Sequence, residues 1–165
     1  MVYYLVLLVR VIFAPLIFIW PATSVIVSFL LDVVDGDIAP YTVSKERYQI
    51  IDKTIDSWVY IFEMIYAWIN FEQFKFLLLG LFLWRMLGMI LFYITSNRRL
   101  FVVFGNYFEN VFFVIFFGFT KPPVFYFAVV FVSLIKFFQE WFIHVADLSV
   151  REDVFKLKRN WKKLP

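Results

Sequence analysis

"LDVVDGDIAPYTVSKERYQIIDKTIDSW", residues 31–58, gathers five of the chain's seven aspartates between two apolar runs. Asp32 and Asp35 are three residues apart at the end of the first run, so a helix presents both on one face. Asp52 and Asp56, four apart at the start of the second run, share a face in the same way. Packed as neighbours, the two helices bring four carboxylates into one pocket. Left unpaired, these repel one another and take up protons, and a divalent cation removes that cost. An all-oxygen ligand set suits Mg²⁺, Mn²⁺ or Ca²⁺ better than zinc. Gly36 leaves room for a ligand at the backbone, and Ala39 keeps the next turn narrow. Asp37 lies two residues from Asp35, points elsewhere on a helix and reads as solvated.

The surrounding chain is too apolar for a soluble domain. Of 165 residues 63% are hydrophobic, 24 are Phe, and the mean hydropathy is +0.81. A water-soluble fold of this size leaves too much surface exposed to hide that many apolar side chains. Runs at 2–20, 22–39, 50–69, 74–94, 101–118 and 124–146 each approach the ~20 residues that a spanning helix needs. The expected fold class is an all-α integral membrane protein, a bundle of six transmembrane helices. Residues 1–148 form the membrane domain, with the aspartate motif at 32–56, and residues 149–165 form a basic interfacial tail. Pro15 falls inside the first run, where neighbouring helices must repair the backbone. That run lacks a basic start and carries Arg10 in its middle, which argues against a secretory signal peptide. The chain has no Cys, so disulfides and thiolate metal sites are excluded.

Charge sets the expected orientation. With the N-terminus, the 40–49 and 95–99 loops and the tail on one side, that side holds Lys45, Arg47, Lys53, Arg98, Arg99 and the basic residues of the tail. The other side has Lys75 and Lys121. This bias puts both termini and the aspartates in the cytoplasm. The tail segment "KLKRNWKK" suits an anionic lipid surface and has no folded element that reads nucleic acid.

The order Asp32-x2-Asp35-Gly36-x2-Ala39, then Asp52-x3-Asp56, resembles the signature of the CDP-alcohol phosphatidyltransferases, Asp-x2-Asp-Gly-x2-Ala-Arg-x8-Gly-x3-Asp-x3-Asp. Pro40 replaces the arginine, Tyr48 stands where the second glycine is expected, and the linker is one residue shorter. "LVRVIFAPLIF" (8–18) is similar to the Arg-x4-Pro segment of that family's first helix, and "LWRMLGMIL" (83–91) to its arginine-bearing fourth. The resemblance implies a six-helix enzyme of phospholipid synthesis. Such an enzyme moves a phosphatidyl or related phospho-alcohol group from a CDP-alcohol lipid donor to an alcohol or phospho-alcohol acceptor, releasing CMP. It implies two divalent ions, Mg²⁺ or Mn²⁺, at Asp32, Asp35, Asp52 and Asp56, with Asp56 also the general base. Gly36 and Ala39 would line the cytidine site, and Lys45 or Arg47 would stand in for the replaced arginine. A homodimer is implied as well.

Other charges have two readings each. Arg10 and Arg85, at membrane depth, pair with a bundle carboxylate such as Glu63 or Glu109, or contact phosphate or acceptor. Arg98 and Arg99 bind a phosphorylated acceptor, or only obey topology. Lys136, Glu140 and His144 recur every four residues, the pattern of a salt-bridged stripe. A divalent-cation transporter or channel is the competing function. It would need polar residues along a path, but the two runs flanking the motif offer little beyond Thr23, Ser24, Ser28, Ser57 and Glu63. A family member that has lost catalysis and serves as a binding partner fits the changes at Pro40 and Tyr48.

Overall fold

Proline 15 divides the first apolar run. In the computed structural model, which describes residues 2–146, helix α1 covers Val2–Phe13 and a 3-10 turn covers Pro15–Phe18. Proline has no N–H to give the carbonyl four residues back. The indole N–H of Trp58 donates to that Val11 carbonyl instead, at 3.1 Å, and the Ser24 hydroxyl donates to the carbonyl of Phe13 at 2.5 Å. Side chains of the two following helices thus mend the break. The single span expected at 2–20 is two pieces.

Helix α2, Pro21–Ile38, opens on a proline whose missing N–H costs nothing in a first turn. It passes into a 3-10 turn, Ala39–Tyr41, at Pro40. Helix α3, Lys45–Asn70, takes in residues expected to be a polar connection, because the Tyr48 N–H already bonds the Ser44 carbonyl at 2.9 Å. Its buried residues are Asp52, Ile55, Asp56, Val59, Tyr60, Glu63, Met64 and Ala67, spaced by threes and fours along one face. Ile61, Ile65 and Trp68 are exposed. Acids inside and apolar side chains outside is the reverse of a water-soluble helix and suits a lipid solvent. Tyr3 and Leu7 of α1 pack with Ala39, Val43 and Ile55, which fixes α1 against the motif.

The described residues fall into two units, divided between Tyr66 and Ala67. The second contains α4 (Lys75–Thr95), the short α5 (Leu100–Val103), α6 (Tyr107–Phe116) and α7 (Val124–His144). The fifth expected span, 101–118, is therefore broken at 104–106. Asn106 is the reason for the restart: its side chain accepts from the Glu109 N–H at 3.3 Å and donates to the Glu109 carboxylate at 2.6 Å, capping α6. Phe104 lies so close to Gly88 that a Cβ there would sit 2.2 Å from the Phe104 Cβ. Trp84 and Arg85 donate to the last carbonyls of this corner, Val103 at 3.1 Å and Phe104 at 2.9 Å. Phe101, Phe108 and Phe112 are wholly buried in this unit.

Among the described residues there is no strand, and α4 and α7 are the helices long and apolar enough to cross a membrane. The stretches Val2–Phe18 and Leu100–Phe116 are apolar but shorter. Helix α2 carries three aspartates and α3 a mixture of acids and bases, which lowers their hydropathy. The basic tail expected at 149–165 lies outside the described residues.

Candidate metal centre

Tyr3, Leu7 and Arg10 are the buried residues of α1, spaced to share one face. That face delivers the Arg10 guanidinium, 2% exposed, into the middle of the aspartates. Nη2 donates to Asp32 at 2.7 Å and to Asp56 at 2.9 Å. Nη1 pairs with Asp35 and lies 3.9 Å from Asp52. Lys53 adds a second cation, with Nζ 2.7 Å from Asp52 and 2.9 Å from Asp56. The Tyr48 hydroxyl donates to Asp35 at 3.2 Å. Burial first, then the carboxylates of Asp52 and Asp35, push the Tyr48 phenol above its usual range, so it is a neutral donor.

All four motif aspartates are thus brought together, from α2 and α3, around a cation from α1. They are not equivalent. Asp35 is wholly buried, whereas the side chain of Asp32 is 45% exposed and forms the open rim. One oxygen each from Asp32, Asp35 and Asp52 lie within 4.8 Å of one another. Asp56 is outside that triad and is held by Arg10 and Lys53.

The donors suit a hard cation. Opposed oxygens lie ~4.8 Å apart around Ca²⁺ and ~4.1 Å apart around Mg²⁺, so the triad needs little closure to grip either. A second sign of fit is Tyr3. Its hydroxyl is wholly buried, has no hydrogen-bond partner, and lies within electrostatic reach of Asp35 and Asp52. An orphaned hydroxyl beside a carboxylate triad is matched to a ligand-bound water or oxygen.

Two expectations are corrected. Arg10 does pair with carboxylates, as one of its two readings had it, but the partners are the motif aspartates instead of Glu63 or Glu109, because α1 packs along α2 and faces the end that carries them. Arg85 has no carboxylate within ion-pair distance among the described residues. It is compensated by the Phe104 carbonyl and by the Phe101 ring, 4.7 Å away.

Gly36 is buried in α2 next to Asp35, and Ala39 is buried in the cluster around Tyr3. Lys45 and Arg47 are exposed in the first turn of α3. Arg85, Arg98 and Arg99 belong to the second unit. Asp37 is half-buried and is not a partner of Arg10. On α7, Lys136 and Glu140 form the expected pair at 3.0 Å. Sequence reasoning passed over Lys53, Tyr48 and Tyr3 as members of the site. Two of these had a signal: Lys53 lies between the two aspartates of its helix, and Tyr48 precedes Asp52 by one turn.

No family model matches the chain, and neither a curated protein nor a solved structure does.

Proposed function

We propose that the protein is a multi-pass membrane transferase that passes a phosphatidyl or related phospho-alcohol group from a CDP-alcohol to an alcohol acceptor. The observation that carries this is the meeting of Asp32, Asp35, Asp52 and Asp56 at one point, on the spacing that resembles the phosphatidyltransferase signature. Six spans with both termini in the cytoplasm, supported by the bias of basic residues, would put this point at the cytoplasmic membrane surface. A lipid donor would then keep its chains in the bilayer while its nucleotide reaches the acids.

Asp32, Asp35 and Asp52 would hold Mg²⁺ or Mn²⁺. When bound, the ion supplies charge neutralisation for a diphosphate and for the departing CMP. Asp56 has the complementary task. It takes the acceptor's hydroxyl proton as that oxygen forms its bond to the lipid-bearing phosphorus, and the phosphorus–oxygen bond to CMP breaks with the electron pair leaving on CMP. Lys45 and Arg47, exposed in the first turn of α3, would meet phosphate in place of the replaced arginine, and Gly36 and Ala39 would line the cytidine site.

The test is CMP release by purified protein in detergent with a CDP-alcohol, Mn²⁺ and a panel of alcohols and phospho-alcohols. Release is expected to need one acceptor, and Asp56→Asn is expected to lower it by ~10²-fold or more while Mn²⁺ still binds. Folded wild-type protein that releases no CMP across the panel refutes the enzyme. One observation favours a second reading: Arg10 already fills the middle of the acids, as it would in a relative that binds a CDP-alcohol without turning it over. That relative would be stabilised thermally by the CDP-alcohol and release nothing.

A further inference from the structure

The aspartates of this site do not stand alone. Four carboxylates face two resident cations, Arg10 and Lys53, which leaves the group two positive charges short of neutrality when all are ionised. One divalent ion closes that balance; two would overshoot it. Geometry makes the same division. The oxygens that can share an ion come from Asp32, Asp35 and Asp52. The fourth acid, Asp56, has one oxygen 2.9 Å from Arg10 and the other 2.9 Å from Lys53. A second divalent ion at Asp56 would have to displace both cations from a pocket where Arg10 is almost wholly enclosed. The wholly buried Tyr3 hydroxyl has no hydrogen-bond partner and feels the charges of Asp35 and Asp52, two of the three acids of that triad.

We infer that this chain takes a single divalent cation, at Asp32, Asp35 and Asp52, and that the Arg10 guanidinium is its built-in second cation, fixing Asp56. This rests on the carboxylates being the cation site proposed above, but it differs from the two-ion arrangement that the family resemblance implies. Arg10 thereby becomes a positioning residue. It sets how many metals the site accepts and holds Asp56 free of metal.

The count of bound metal tests it. Full-length protein in detergent micelles is dialysed against Mn²⁺, and bound ion is counted by mass spectrometry and by the loss of the free Mn²⁺ electron-spin signal. Wild type is expected to hold one Mn²⁺ per chain at saturation, and so is Asp56→Asn. Arg10→Gln is expected to hold two, and to bind the first at least ~10-fold more tightly because a neighbouring positive charge is gone. Arg10→Gln should also be the variant whose melting temperature depends most steeply on Mn²⁺, falling in EDTA and recovering with the ion.

Two Mn²⁺ in the wild type, or one in folded Arg10→Gln, overturns the inference and leaves the cation site standing. No Mn²⁺ in folded wild type and folded Arg10→Gln overturns both. Loss of the single ion in Asp56→Asn makes Asp56 a ligand and also refutes the assignment. Should Arg10→Gln not fold, the wild-type and Asp56→Asn counts decide between one ion and two.

Discussion

Asp35→Asn is the sharpest single perturbation, because it removes one charge with almost no change in shape. Its effect is the difference of two large terms. At an effective dielectric of about 20, Asp32 and Asp52, with oxygens no more than 4.8 Å away, each repel Asp35 by ~3–4 kcal/mol. The contact with Arg10 attracts it by ~5–6 kcal/mol on the same basis. These nearly cancel, so without metal the variant should lie within ~2 kcal/mol of wild type. With metal the two proteins should part. An ion at 100 times its dissociation constant stabilises the protein that binds it by ~2.7 kcal/mol. The variant, lacking one of three ligands, should forgo most of this. Unfolding by SDS titration in mixed micelles, with EDTA and with saturating Mn²⁺, reads both numbers. A loss of ~3–5 kcal/mol in EDTA, the usual cost of breaking a buried ion pair, would mean that the acids do not repel one another as this geometry requires. Equal Mn²⁺ stabilisation of both proteins would remove Asp35 from the site.

Trp58→Phe keeps the ring against Phe62 but leaves the Val11 carbonyl without its N–H, and should cost ~1–3 kcal/mol in the same titration. Ser24→Ala, which frees the Phe13 carbonyl, should weaken α1 in the same direction, and a neutral result for both would show that the break at Pro15 needs no repair. Gly88→Ala should destabilise by ~1–3 kcal/mol, because its Cβ would meet the Phe104 Cβ at 2.2 Å. Gly80→Ala on the same helix meets nothing within 4 Å and should be neutral or stabilising by ~0.5–1 kcal/mol. A reversed order of the two glycine variants would refute the close approach of α4 to Phe104.

The aspartate pairs were legible because their information is local: spacings of three and four are enough to put each pair on one helix face. The partner of Arg10 was not, since it lies 22 to 46 residues away and depends on how α1 lies along α2 and α3. A charge at membrane depth announces that it has a partner and does not name it. The helical class followed from composition, but the lengths of the helices did not. Pro15 was noticed, yet whether it kinks or divides a helix depends on donors such as Trp58 and Ser24 from elsewhere in the chain. The break at 104–106 carried a local mark, Gly105 followed by Asn106, that the apolar run of 101–118 masked. The start of α3 was obscured in the opposite way. The stretch 41–49, read as a polar and partly helical connection, is helical from Lys45 onward, because polarity there describes the solvent and not the backbone.

The distribution of charge among the first three helices bears on how the chain is made. The counter-ion Arg10 is carried by α1, which is synthesised before the two helices that carry the four acids. An arginine is therefore already waiting when each carboxylate arrives, and no acid has to be buried without a base to pair with. A chain shortened by its first helix would face the reverse. Asp52 and Asp56 would keep Lys53 as a counter-ion, but Asp32 and Asp35 would have to take up protons.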